Sequence, residues 1–157
     1  MRFTIGMIGF TKIILYFCLG FLTSNIYTKE WTFKYSGYVN SNIIQLPSGG
    51  KIINLSNNGT WEDSLGNYGK GVCYGIAESS EYKNDFLQYY CELNDQDDDS
   101  FFTKGGRKSE DIAAGVGIQE IIEGTGKWKN YVGAICKYGV KYKDKLLFAS
   151  QKCKVLD

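Results

Sequence analysis

The feature that most constrains this chain is its period of two. Trp31, Phe33, Tyr35, Gly37 and Val39 alternate with Thr32, Lys34, Ser36 and Tyr38. Alternation puts one set of side chains on each face of a strand, so this segment has one apolar face and one polar face. Similar short segments follow, each bounded by turn residues. Pro47-Ser48-Gly49-Gly50 predicts a turn before a short strand from Lys51 to Leu55, and Asn57-Asn58-Gly59 predicts a turn before Thr60–Ser64. Gly66-Asn67-Tyr68-Gly69 leads into a strand from Val72 to Glu78, and another runs from Asp85 to Asn94. An acidic loop, 95–100, precedes a short strand starting at Phe101-Phe102, and Gly105–Asp111 predicts a loop. Ala113–Ile122, Lys129–Tyr142 and Lys145–Val155 complete seven or eight strands. No stretch has the 3.6-residue period of a helix, so the expected fold is all-β, an antiparallel up-and-down barrel of about eight strands.

Ahead of the strands lies a different kind of sequence. Arg2 and Lys12 precede an apolar run from Ile13 to Leu22, followed by Thr23, Ser24 and Asn25. Basic, then apolar, then small and polar is the order of a secretory signal peptide. The run is about half the roughly 20 residues that span a bilayer. Met7 is an alternative start. No A-x-A cleavage site is present, and Tyr16 and Phe17 argue against Cys18 as a lipoprotein cysteine. The division is 1–27, a signal peptide or N-terminal hydrophobic segment, and 28–157, one barrel domain with no membrane span. The expected address is periplasmic or extracellular, with an uncleaved anchor as the competing reading.

Composition then excludes some chemistry. There is no histidine, which removes the usual general base near neutral pH, the usual metal ligand and any Ser-His-Asp arrangement. Discounting Arg2 and Lys12 leaves a net charge near −1, no overall electrostatic footprint for nucleic acid or an anionic membrane. No cofactor motif is present. The oligomeric state is open.

Four cysteines lie in the domain: Cys73, Cys91, Cys136 and Cys153. An even count in an exported chain permits disulfides, and four cysteines allow three connectivities. Hairpin arithmetic favours one of them. Cys73 and Cys91 are centred on residue 82, within the polar turn Ser79–Asn84; Cys136 and Cys153 are centred between Asp144 and Lys145. Each pair would lie directly across a hairpin, and the same registers pair Gly75 with Tyr89 and Tyr138 with Gln151. Four buried free thiols are the alternative. The absence of C-x-x-C and of histidine argues against a zinc site.

The stretch Gly124-Thr125-Gly126-Lys127-Trp128 reads as a tight turn whose aromatic re-enters the apolar side of the next strand, with Gly133 five residues on. It resembles the signature strand of the allene oxide cyclase and dirigent group of small β-barrels. Trp61-Glu62-Asp63-Ser64 through Tyr68-Gly69 and Cys73, the acidic loop leading to Phe101-Phe102, and Gly115-Val116-Gly117 are similar to exported bacterial relatives of that group. The resemblance implies an up-and-down barrel with an apolar lumen. The plant enzymes' catalytic residues have no matching positions here.

Alternation predicts an inward face of Trp31, Phe33, Tyr35, Tyr89, Val116, Ile118, Glu120, Val132, Tyr138 and Gln151. The lumen candidates for ligand binding are Tyr35, Tyr89, Glu120, Tyr138 and Gln151. Glu120 is the weak catalytic candidate, an acid or base if burial raised its pKa. Asp95, Asp97, Asp98 and Asp99 form either a calcium loop or, more simply, a solvated hairpin loop; the EF-hand glycine and terminal glutamate are missing. Asn54-Leu55-Ser56 and Asn58-Gly59-Thr60 match glycosylation sequons. Three functions follow: a barrel binding a small apolar molecule, an isomerase or cyclase steering an apolar intermediate, or a filled barrel with a structural or interaction role.

Overall fold

The computed structural model describes residues 29–80, 84–107 and 114–155. Segment 1–27 therefore lies outside the described residues, as do the tip of the 79–84 turn and part of the loop expected over 105–111. Eight antiparallel strands follow one another: β1 (Lys29–Gln45), β2 (Lys51–Asp63), β3 (Tyr68–Ser79), β4 (Asn84–Asp95), β5 (Ser100–Arg107), β6 (Ala114–Gly124), β7 (Ile135–Lys143) and β8 (Leu146–Val155). Each pairs with the next, and β8 returns to β1, for example through Trp31↔Cys153 and Phe33↔Gln151, so the sheet closes. The expected up-and-down barrel is the fold. Among the described residues, no helix is long and apolar enough to cross a membrane.

Both cysteine pairs form disulfides, Cys73–Cys91 and Cys136–Cys153, with Cα atoms 4.0 and 3.9 Å apart. The registers Gly75↔Tyr89 and Tyr138↔Gln151 accompany them. Because the side-chain period is two, a slip of one residue in either hairpin would separate its cysteines.

Three local expectations are corrected. The segment Asn57-Asn58-Gly59 is not a turn but the middle of β2, paired with Val39, Tyr38 and Gly37. The chain has already reversed at Leu46–Gly50, where the Gly49 N–H donates to the Leu46 carbonyl, and Asn57 is buried facing inward. Gly105–Arg107 continues β5 instead of forming a loop, since its backbone is taken up by Leu87–Tyr89 of β4. Finally, 129–134 is not strand. Gly126–Tyr131 forms a short 3-10 helix, and β7 begins only at Ile135.

That short helix closes one end of the barrel. Gly126 has φ +44 and lies against the Asp99 carboxylate, where a side chain would clash. The turn delivers Trp128, 1% exposed, into a core of Trp31, Phe33, Trp61, Phe101 and Tyr131. The Phe101 and Trp128 ring centroids are 4.3 Å apart, and Phe33 stacks on Trp61 at 5.2 Å. The aromatic does enter the apolar interior as expected, but from a helical plug instead of a strand.

The acidic loop is what locks the plug. Asp95, its side chain fully buried, accepts hydrogen bonds from Trp128 Nε1 at 2.8 Å and from the backbone N–H groups of Asp97 and Asp99 at 2.8 and 3.0 Å. Lys127 bridges Asp95 at 2.9 Å and Asp97 at 2.8 Å. Burial alone would raise the Asp95 pKa; the bonds from Lys127, Trp128 and the backbone outweigh it and hold the carboxyl below its usual range. Hydrogen bonds to Asp97 and Asp95 in turn push Lys127 above the ordinary lysine range. The loop is thus solvated at Gln96, Asp97 and Asp98, as a hairpin loop is expected to be, but its first residue, Asp95, is drawn into the interior. Among the described residues, no group of acidic or cysteine side chains is arranged to hold a metal ion.

Candidate functional site

The opposite half of the barrel interior is not filled. A cavity of about 100 Å3 lies between Phe33, Tyr35, Leu93, Tyr138, Leu147 and Ala149. Its wall extends to Val39 and Leu55 on the side where the strands run out, and the Cys73–Cys91 disulfide forms part of it. In the closed half, by contrast, the residual void beside Trp128 is about 10 Å3. That is about the minimum space one water needs. Gln119 and Gln151 line both spaces and mark the boundary between them.

Four of the five lumen candidates from the sequence line this cavity: Tyr35, Tyr89, Tyr138 and Gln151. Each phenol has a defined partner. Tyr89 donates to Gln119 Oε1 at 3.0 Å, and Tyr138 donates to the Gly106 carbonyl at 3.3 Å. Tyr35 donates to Asn57 Oδ1, with the Gly71 carbonyl 3.2 Å away. Burial raises all three pKa values, pushing that of Tyr35 up to about 12. For Tyr89, the neighbouring Tyr138 adds to the rise. These phenols stay neutral across the physiological range and serve as donors, not bases.

Glu120 is the exception and is corrected. It lies on the outer surface, together with Val116 and Ile118, while Val132 is exposed in the turn after the 3-10 helix. The inward residues of β6 are Gly115, Gly117, Gln119 and Ile121. Apolar alternation misassigns this strand because the glycines leave room for side chains reaching across from other strands. A Cβ at Gly117 would collide with the Tyr138 ring. The valine and isoleucines of β6 consequently face outward, and Glu120 pairs with Lys104 and Ile135 on the outside.

The sequence reading missed Asn57, Gln119, Leu147 and Ala149. A usable signal existed for Gln119: it pairs with Cys136, so centring the β6–β7 hairpin on residues 127 and 128 places it inward beside a cysteine already assigned to the interior. Arg107 was also missed. It is buried near the same end of the barrel, its guanidinium 6.0 Å from the Tyr142 ring.

Among the described residues, two polar atoms in this wall have no hydrogen-bond partner: Asn57 Nδ2, a donor, and Gln151 Oε1, an acceptor. Both residues are more than nine-tenths buried. Leaving such groups unmade costs about 1–3 kcal/mol each, so a site that keeps them has a use for them or holds water there. Among the described residues, no carboxylate lines the cavity. Comparison with known protein families, with characterised proteins and with solved structures finds no match to this chain.

Proposed function

We propose that this chain is an exported barrel that binds a small, mainly apolar molecule carrying a hydrogen-bonding group. The observation that carries this reading is the half-empty lumen: an apolar wall interrupted by the unpartnered Asn57 Nδ2 and Gln151 Oε1. Size limits the ligand. Drug-sized pockets run about 300–1,000 Å3, whereas an apolar cavity of about 150 Å3 holds benzene. At about 100 Å3 this space is smaller still, so a single ring or a short branched chain is the upper limit. Export is supported by the two disulfides, which persist in oxidising compartments, and by the order of residues 1–27. The likeness to exported relatives of the allene oxide cyclase and dirigent barrels belongs to the same proposal, as an origin for the lumen. An isomerase of that type would need a lumen acid or base, and Glu120 does not supply one.

Titration with benzene, phenol and benzamide, followed by the NMR signals of Tyr138 and Gln151, tests the binding. Phenol and benzamide should bind more tightly than benzene, and Gln151→Met should erase that preference. Ala149→Phe, which fills the space, should abolish binding of all three while the fold is kept. No saturable binding by any of them would favour the filled, structural barrel. Export is tested separately by fusing residues 1–30 to a reporter active only outside the cytoplasm; signal should be lost when Leu15 and Leu19 are replaced by Asp.

A further inference from the structure

The near-neutral charge of this chain is an average over an uneven surface. Residues 135–155, the β7–β8 hairpin, contain six lysines and one acid, Asp144. At the open end of the barrel, Lys141 pairs with Phe148 and Lys143 with Leu146 across this hairpin. The outer face continues onto β1, where Tyr38 is opposite Leu146, and Lys145 Nζ sits 5.8 Å from the Tyr38 ring. Two lysines of β7 and Lys145 of the turn thus lie beside apolar side chains of β8 and β1. Tyr38, Leu146 and Phe148 are 47%, 46% and 39% exposed.

Beside this patch the sheet runs on without cover. The pairing of β8 with β1 stops at Tyr38↔Leu146, while that of β1 with β2 continues to Gln45↔Lys51. The projecting hairpin carries Ile43 and Ile44, each more than half exposed, and Leu46 at its turn. Among the described residues, Lys51, Lys141, Lys143 and Lys145 outnumber the exposed acids of this end, Glu78 and Asp144, the latter 3.8 Å from Lys143 Nζ; apolar groups of this number in such a setting are unusual for a surface facing only water. From these positions we infer that the open end of the barrel docks on an anionic lipid bilayer. Lys141, Lys143, Lys145 and Lys51 would meet the headgroups, and Ile43, Ile44, Leu46, Leu146 and Phe148 would enter the interface. Charge complementarity selects an anionic partner, and the interleaved apolar residues select a lipid surface over a soluble polyanion. The closed end, with the acidic loop 95–99, faces away. This seating does not depend on the lumen holding a ligand.

Flotation of the full chain with vesicles of phosphatidylglycerol and phosphatidylcholine, compared with phosphatidylcholine alone, tests it. Binding should require the anionic lipid and fall as salt rises. The triple variant Lys141→Gln, Lys143→Gln, Lys145→Gln should bind about 100-fold more weakly, at roughly fivefold per lysine. The same charge change elsewhere, Lys70→Gln, Lys104→Gln, Lys129→Gln, should leave binding within about threefold. All these forms carry residues 1–28, so any affinity of that segment is common to them. Phe148→Trp adds a reporter: the native Trp31, Trp61 and Trp128 are buried in the closed half. Its fluorescence should be quenched by brominated acyl chains. Equal binding of the two triple variants would overturn the inference. So would lysine-dependent binding without quenching at position 148, which would assign the patch to a soluble polyanion such as heparin.

Discussion

The two halves of the barrel interior are made by the same strands and cross-linked alike, yet one retains a void of about 10 Å3 and the other a cavity of about 100 Å3. The closed half is filled by three tryptophans, two phenylalanines and a tyrosine, and its buried carboxylate is fully partnered. The open half is walled by Phe33, Tyr35, Tyr89, Tyr138 and Tyr142, with small groups such as Gly75 and Ala149 between them, and among the described residues two of its buried amides have unmet hydrogen bonds. Close packing on one side supplies the stability that leaves the other side unfilled. Function is sought where packing is incomplete, and stability where it is complete.

The strongest way to break this contrast is Trp128→Ala. It removes the plug's main anchor and the Nε1 bond to Asp95, and should cost about 3–5 kcal/mol, measured by denaturant unfolding. A loss under about 1 kcal/mol would mean that the closed half is not the stabilising one.

The disulfides sharpen the comparison, because their sequence separations are nearly equal, 18 and 17. Chain entropy assigns roughly 3 kcal/mol to each. Any difference between the Cys73→Ala, Cys91→Ala and Cys136→Ala, Cys153→Ala double variants then reports native packing. Cys153 is 1% exposed in the packed half, whereas Cys73 borders the cavity. The second pair should therefore be the costlier loss, by about 1 kcal/mol.

Much of this architecture was legible in the sequence because it follows from parity. Alternation from Trp31 to Val39, and two cysteine pairs centred on plausible turns, were enough for the barrel and both cross-links. Parity failed where side chains are absent or aimed elsewhere. Gly115 and Gly117 gave β6 no inward signal, so its outward Val116, Ile118 and Glu120 were assigned to the lumen. Asn57 looked like a turn residue because its neighbours are Asn58 and Gly59; only the long ladder with β1 makes it an interior group. The role of Asp95 depends on Trp128, 33 residues away, a contact no local pattern encodes. Charge segregation was invisible to a net count for the same reason.

Asp95→Asn is the next test of the packed half. It keeps the shape but weakens the bonds from Lys127 and the backbone, at a cost of about 1.5–3 kcal/mol near neutral pH. The Asp95 pKa is lowered in the folded state, so its contribution is present above the ordinary carboxylate value of about 3.9 and is lost as pH falls through the lower folded value. The acid limb of the stability curve should be shallower in the variant. An unchanged limb would mean that Asp95 is not held below its usual range.

The smallest effects come from one substitution made in each half. Ala134→Leu, at a position with 0% exposure in the packed half, should destabilise by about 1–3 kcal/mol through overpacking. Ala149→Leu, beside the cavity, should be neutral or stabilise by up to about 1 kcal/mol, since it fills space already present. Equal losses at the two positions would mean that the halves do not differ in packing.

The most direct measurement is a crystal structure under xenon pressure. The expected result is xenon in the open half only, in contact with Phe33, Leu93, Tyr138 and Ala149, and none beside Trp128. Xenon in neither half, with side chains filling the space around Ala149, would contradict the division of the lumen into a packed end and an open one.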